Sequence, residues 1–149
     1  MSLWLKQYGQ LINHLIMEID VGEHTLREFG EAAAPCRSID LTVLHFSENV
    51  DLAALGPVAS SLQRLTCQPS DSECGSVSGT SAFSSMSQLT ALHLYNEDFK
   101  SEEPWSLLAK LTSLQKLNLV VRATGDPSPL SALTGLSHLW LKNHGCKES

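Results

Sequence analysis

The chain has 149 residues, 42% apolar and 17% charged, a composition that suits one globular domain with its own core. Sixteen acidic against ten basic residues leave a formal charge of −6, a field that repels a phosphate backbone and makes nucleic acid a poor partner. No apolar run reaches membrane-spanning length, so a membrane partner is not expected either.

Residues 1–11 carry Trp4, Leu5 and Tyr8, broken by Lys6, Gln7 and Gln10. This pattern predicts an amphipathic N-terminal cap and not a signal peptide, which needs an unbroken apolar stretch and a small-residue cleavage site. The acidity is concentrated early: residues 1–60 hold eight Asp or Glu against three Lys or Arg, and residues 61–149 hold eight against seven. A basic ligand would favour the first half.

From residue 12 onward one spacing recurs. Residues 111–119 read LTSLQKLNL and residues 133–141 read LTGLSHLWL. Written as LxxLxL, the pattern occurs six times: Ile12, Leu15, Met17; Cys36, Ile39, Leu41; Leu62, Leu65, Cys67; Leu89, Leu92, Leu94; Leu114, Leu117, Leu119; and Leu136, Leu139, Leu141. The first anchors are separated by 24, 26, 27, 25 and 22 residues. A helical bundle would place its apolar residues at i, i+3, i+4 and i+7. Here the last two anchors are two apart, the spacing of a strand whose alternate side chains share a face.

Between these strands the chain must return. Thr25 is a candidate cap for a helix containing Leu26, Phe29 and Ala33, with Glu28 at the capping-box position and Pro35 closing it. The second return runs through Leu52, Leu55 and Val58. Residues 68–81 are glycine- and serine-rich and predict a loop before Phe83 and Met86. Pro104 and Trp105 open the fourth return, which should hold the best helix, through Leu107, Leu108 and Leu111. The fifth, shortened around Pro127 and Pro129, leaves room for barely one turn ending near Leu130 and Leu133.

This arrangement resembles a leucine-rich-repeat solenoid, whose period is roughly 20–29 residues. The resemblance covers residues 12–141 and implies an α/β fold: a curved parallel sheet of about six short strands on the concave side, with helices or loops on the convex side. The expected layout is a single domain over residues 1–149, with a cap at 1–11, six repeats at 12–141 and a polar tail at 142–149. The family usually carries Asn, Cys or Thr three residues after the last leucine. Here those positions are Asp20, Leu44, Ser70, Glu97, Arg122 and His144, a departure from its polar ladder. Residues 4–11, WLKQYGQL, are similar to the opening segment of leucine-rich regions in plant and algal F-box-like proteins. That similarity implies substrate recognition for a ubiquitin ligase, although the chain has no stretch long enough to be the F-box itself.

Catalysis lacks a constellation. Residues 75–79, GSVSG, put Val77 where a nucleophile elbow needs serine. There is no phosphate-binding loop and no HExxH. The six histidines, His14, His24, His45, His93, His138 and His144, are scattered, and a tail carrying His144 and Cys146 offers too few ligands for a closed metal site. No enzymatic activity, cofactor or metal is therefore expected. Cys36 and Cys67 stand at anchor positions, where a thiol packs as an apolar side chain. Cys74 and Cys146 remain as a candidate disulfide, although the absence of CxxC pairs and of glycosylation sequons favours a reducing, cytoplasmic location.

Binding is the better reading, because residues between the leucines must point away from the core. Aligned across strands they predict a protein-binding patch of Arg64, His93, Tyr95, Lys116, Asn118, His138, Trp140 and Lys142. Tyr95 and Trp140 are the natural anchors, since aromatic residues and Arg dominate interface energetics; Trp140 serves equally well as a shield for the last strand. The alternative is a truncated repeat fragment with no ligand of its own, self-associating through an open C-terminal edge.

Overall fold

The computed structural model describes residues 2–20, 23–46, 49–69, 76–99, 104–122 and 126–143. The chain begins with α1 (Ser2–Tyr8), whose Leu5 is buried while Leu3 and Trp4 are exposed. Strand β1 (Leu15–Asp20) follows, then α2 (Glu23–Ala33), β2 (Ile39–Phe46) and β3 (Asn49–Asp51). After a first 3₁₀ turn at Gly9–Leu11, a second at Leu52–Val58 leads to β4 (Leu62–Pro69), and β5 (Ser76–Ser78) to a third at Thr80–Ser85. The remaining elements are β6 (Ala91–Phe99), α3 (Pro104–Leu108), β7 (Lys116–Arg122), a 3₁₀ turn at Ser128–Ala132 and β8 (His138–Asn143).

Every strand pairing among the described residues is parallel. Six strands form the main ladder in the order β1-β2-β4-β6-β7-β8, and β3 and β5 extend the sheet beside the far end of β6. Parallel neighbours require a crossover between them. Those crossovers stack in chain order: α1 on α2, α2 on 52–58, that turn on 80–85, α3 on 80–85 and on 128–132. The result is an α/β domain with a parallel sheet and flanking helices, in a solenoid-like topology.

The leucines make the core. Met17, Leu41, Leu65, Leu92, Leu117 and Leu139 form one row across the sheet, and Ile19, Val43, Cys67, Leu94, Leu119 and Leu141 form the next. Leu65, Leu92 and Leu117 are fully buried, and each such leucine contributes about 1.5–3 kcal/mol relative to an exposed one. Burial falls away at the last strand, where Leu139 is 53% exposed and Leu141 37%.

These rows differ from the spacing-derived alignment at the start of the chain. There Leu41 stood opposite Cys67; in the structure Leu41 pairs with Leu65, and Val43 with Cys67. β1 and β2 alternate strictly, Leu15-Met17-Ile19 and Ile39-Leu41-Val43, so they meet the core equally well in either of two registers two residues apart. Burial of Val43 and Ile19 goes with the later register, and the mismatch with LxxLxL is absorbed by a bulge where Ile39 and Asp40 face Leu62 and Arg64.

Three of the crossovers also depart from expectation. Thr25 lies inside α2, which starts at Glu23, so it is not the cap. The expected loop over residues 68–81 contains β5, because Val77 is buried and pairs with Val50 and Phe99. α3 has five residues and α2 eleven, so the fourth return is not the best helix. Its chain leaves the α-helix through tighter turns, with the amides of Lys110 and Leu111 donating to the carbonyls of Leu107 and Leu108.

A hydroxyl ladder links successive units at the entrances of β6, β7 and β8. The Thr90 hydroxyl donates to the Gln63 carbonyl at 3.0 Å, Ser113 to the Ser87 carbonyl at 2.7 Å and Ser137 to the Gln115 carbonyl at 3.0 Å. Each bond ties a crossover or strand start to the unit before it.

Candidate functional site

Alternation sends every second side chain of the main ladder away from the core, and parallel pairing lines these residues up. The first outward row is Ile16, Asp40, Arg64, Ala91, Lys116 and His138; the second is Glu18, Thr42, Thr66, His93, Asn118 and Trp140. Neighbouring strands lie about 4.8 Å apart, so residues two strands apart in a row are separated by about 10 Å at the backbone. Arg64 and Lys116 stand in that relation, with Ala91 between them.

Ala91 is the small residue of its row. With only a methyl group there, a cavity of about 450 Å³ opens over the strands; Arg64, Lys116, His93, Thr66, Thr90 and Asp40 contribute to its walls. Arg64 and Lys116 are exposed and His93 is half-buried. Burial holds the His93 imidazole below its ordinary pKa, and the positive charges of Lys116 and Arg64 push it the same way. His93 is thus neutral at pH 7 under a positive local field, although the chain as a whole is acidic.

The wall nearer β1 is a polar network. His14 Nε2 lies 3.2 Å from Asp40 Oδ2, and Arg64 Nε lies 3.5 Å from the same oxygen. His14 Nδ1 lies 2.6 Å from the Ser38 hydroxyl oxygen, so one imidazole bridges Asp40 and Ser38. Asp40 Oδ1 is buried and has no hydrogen-bond partner among the described residues. Its desolvation offsets part of the attraction that Oδ2 gains from its two neighbours.

The structure therefore gathers three of the sequence-derived residues, Arg64, His93 and Lys116, around one cavity. Asn118 continues the His93 row, and Trp140 and His138 lie on β8 beyond it, with Trp140 48% exposed. Lys142 pairs with Val120 at the outer edge. The backbone of Tyr95 pairs with Val120, but its side chain lies outside the described residues, as do His144, Cys74 and Cys146. Asp40, Ala91 and the two threonines were not singled out by sequence. Asp40 becomes a neighbour of Arg64 only in the observed register, which is the one signal that points to it.

Cys36 and Cys67 are both buried, and burial pushes the Cys36 thiol up. Among the described residues no group of His, Cys, Asp or Glu is arranged to hold a metal ion, and no helix is long and apolar enough to cross a membrane. Comparison of the chain with protein-family models and with curated proteins returned no match.

Proposed function

We propose that residues 1–149 form a single leucine-rich-repeat domain whose curved sheet binds a protein partner on its outward face, without catalysis and in the reducing cytoplasm. The observation that carries this reading is the outward row Arg64, Ala91, Lys116, with an open cavity above it and exposed side chains on both sides. A face of this kind offers polar groups and a concavity on a rigid ladder, which is what a recognition surface requires. The reducing compartment is supported by the sequence alone, which has no CxxC pair and no glycosylation sequon. Substrate recognition for a ubiquitin ligase, implied by the opening segment, is one form this binding takes.

The test is affinity capture from native extract with the wild-type chain and with a Tyr95→Ala, Lys116→Ala variant. The expected result is a stoichiometric protein retained by the wild type and lost by the variant at unchanged Tm. Equal loss of partner and Tm overturns the reading.

A second reading rests on β8. Its core-side leucines Leu139 and Leu141 are exposed, and among the described residues β8 pairs only with β7. An unpaired edge of this kind is a template for another strand, so the alternative is self-association through β8 with no other ligand. Sedimentation over a wide concentration range separates the two readings.

A further inference from the structure

We propose that the cavity over Ala91 receives an acidic side chain, Asp or Glu, of a peptide segment, with its carboxylate seated between Arg64 and Lys116. This rests on the reading of the outward face as a binding surface and names the chemistry that the face selects.

Three observations lead there. The row Arg64–Ala91–Lys116 sets two cationic side chains about 10 Å apart across a methyl-sized gap. A group placed in that gap lies within reach of both, because Arg and Lys side chains are long enough to fold inward over it. The walls also supply donors suited to carboxylate oxygens, in the hydroxyls of Thr66 and Thr90. Thr90 already spends its proton on the Gln63 carbonyl, so Thr66 is the more available of the two.

Charge decides between an acidic side chain and a phosphate. Among the described residues, the titratable and charged groups facing the gap are Arg64, Lys116, His93 and Asp40. Two fixed positive charges oppose one negative charge, and His93 is neutral at pH 7, so the lining carries about one net positive charge. A monoanionic carboxylate balances it. A phosphate monoester brings nearly two negative charges and would leave one unmatched beside Asp40. A basic side chain meets two like charges and is rejected.

Lys116 is the decisive residue, because among the described residues no carboxylate lies within ion-pair distance of it, whereas Arg64 already shares Asp40. Occupancy should also raise the pKa of His93, since an anion in the gap stabilises the imidazolium.

The experiment uses the full chain and four fluorescein-labelled decapeptides, identical except for a central Glu, Gln, Lys or phosphoserine, read by anisotropy. The Glu peptide should bind at least about tenfold more tightly than each of the others. Its binding should weaken from about 0.1 M to about 1 M salt. Lys116→Ala, and independently Ala91→Leu, should each cost about tenfold, while Lys110→Ala, on the crossover side, should cost nothing. Tm of each variant shows whether the fold survives, and the Lys116→Ala result stands if Ala91→Leu unfolds. Equal binding of the Gln peptide, preference for the Lys or phosphoserine peptide, or indifference to Lys116→Ala overturns the inference. If a protein partner is nonetheless captured through this face, only the inference falls; if neither partner nor peptide binds, both fall.

Discussion

A Cβ atom placed on Gly30 of α2 would stand 2.6 Å from the carbonyl oxygen of Ala54 in the neighbouring 3₁₀ turn. The contact is to backbone, so it cannot be relieved by rotating a side chain. α2 reaches its seat on the 52–58 turn because this position carries no side chain.

Gly30→Ala therefore sets two effects against each other. Alanine gains about 1 kcal/mol of helix propensity over glycine, while forcing the packed elements apart costs about 1–3 kcal/mol. The clash should win, and the variant should melt several degrees lower in a thermal scan monitored by circular dichroism. A raised Tm would show that α2 can move away from Ala54 freely.

Gly79 should tolerate alanine less well. Its φ of 65° is left-handed, and an added Cβ would lie 2.6 Å from the Ala53 amide nitrogen and against Asp51 Oδ1. That oxygen accepts from the Ala53 amide at 2.9 Å and caps the 3₁₀ turn. The backbone cost of about 1–2 kcal/mol adds to loss of the cap, about 1 kcal/mol. In urea unfolding, Gly79→Ala should lose more stability than Asp51→Ala, which forfeits the cap alone.

The hydroxyl ladder predicts a graded series. Thr90→Val removes a partly buried bond worth about 1 kcal/mol, whereas Ser113→Ala and Ser137→Ala remove exposed bonds that water can replace. Thr90→Val should shift the urea midpoint measurably and the two serine variants much less. A larger effect at Ser137 than at Thr90 would contradict this order.

His93 should titrate below 6.5 by NMR, and Lys116→Ala should move its midpoint upward by removing a like charge. The sign for stability follows from proton counting. Below the unfolded value of 6.5 the unfolded chain binds the proton more readily than the folded one, so the His93 contribution is present above pH 6.5 and is lost as pH falls through the folded pKa. The Lys116→Ala variant should show a weaker dependence on pH in that window.

If β8 mediates self-association, Leu139→Lys should abolish it and leave the far end of the sheet intact, since Leu139 is already half-exposed. Sedimentation velocity on wild type and variant would show the difference; identical profiles would exclude this edge.

Much of this architecture is legible in the leucines. The three residues Leu114, Leu117 and Leu119 announce a strand, and all three are fully buried at β7 and its entrance. The crossovers through Leu26 and Phe29, or Leu52, Leu55 and Val58, are legible for the same reason, because each apolar face is encoded within a few residues. β5 was not legible: its three residues lie in a serine-rich stretch, and only pairing with β3 and β6 makes them a strand. The site was half legible. Arg64, His93 and Lys116 follow from alternation, but the cavity depends on Ala91 being flanked by longer neighbours on other strands.

By itself, then, the amino-acid order determined how many strands the main ladder has, their sequence, and which side chains face the core. These are local properties, written in a period of two residues that any register shift by two leaves unchanged. What only the tertiary structure decided is who stands beside whom. Asp40 meets Arg64, and not Thr66, because β2 slides by two residues against β4. Alternation is blind to that slide. It is set by the burial of Val43 and by a bulge at Ile39 and Asp40, which depend on the neighbouring strand.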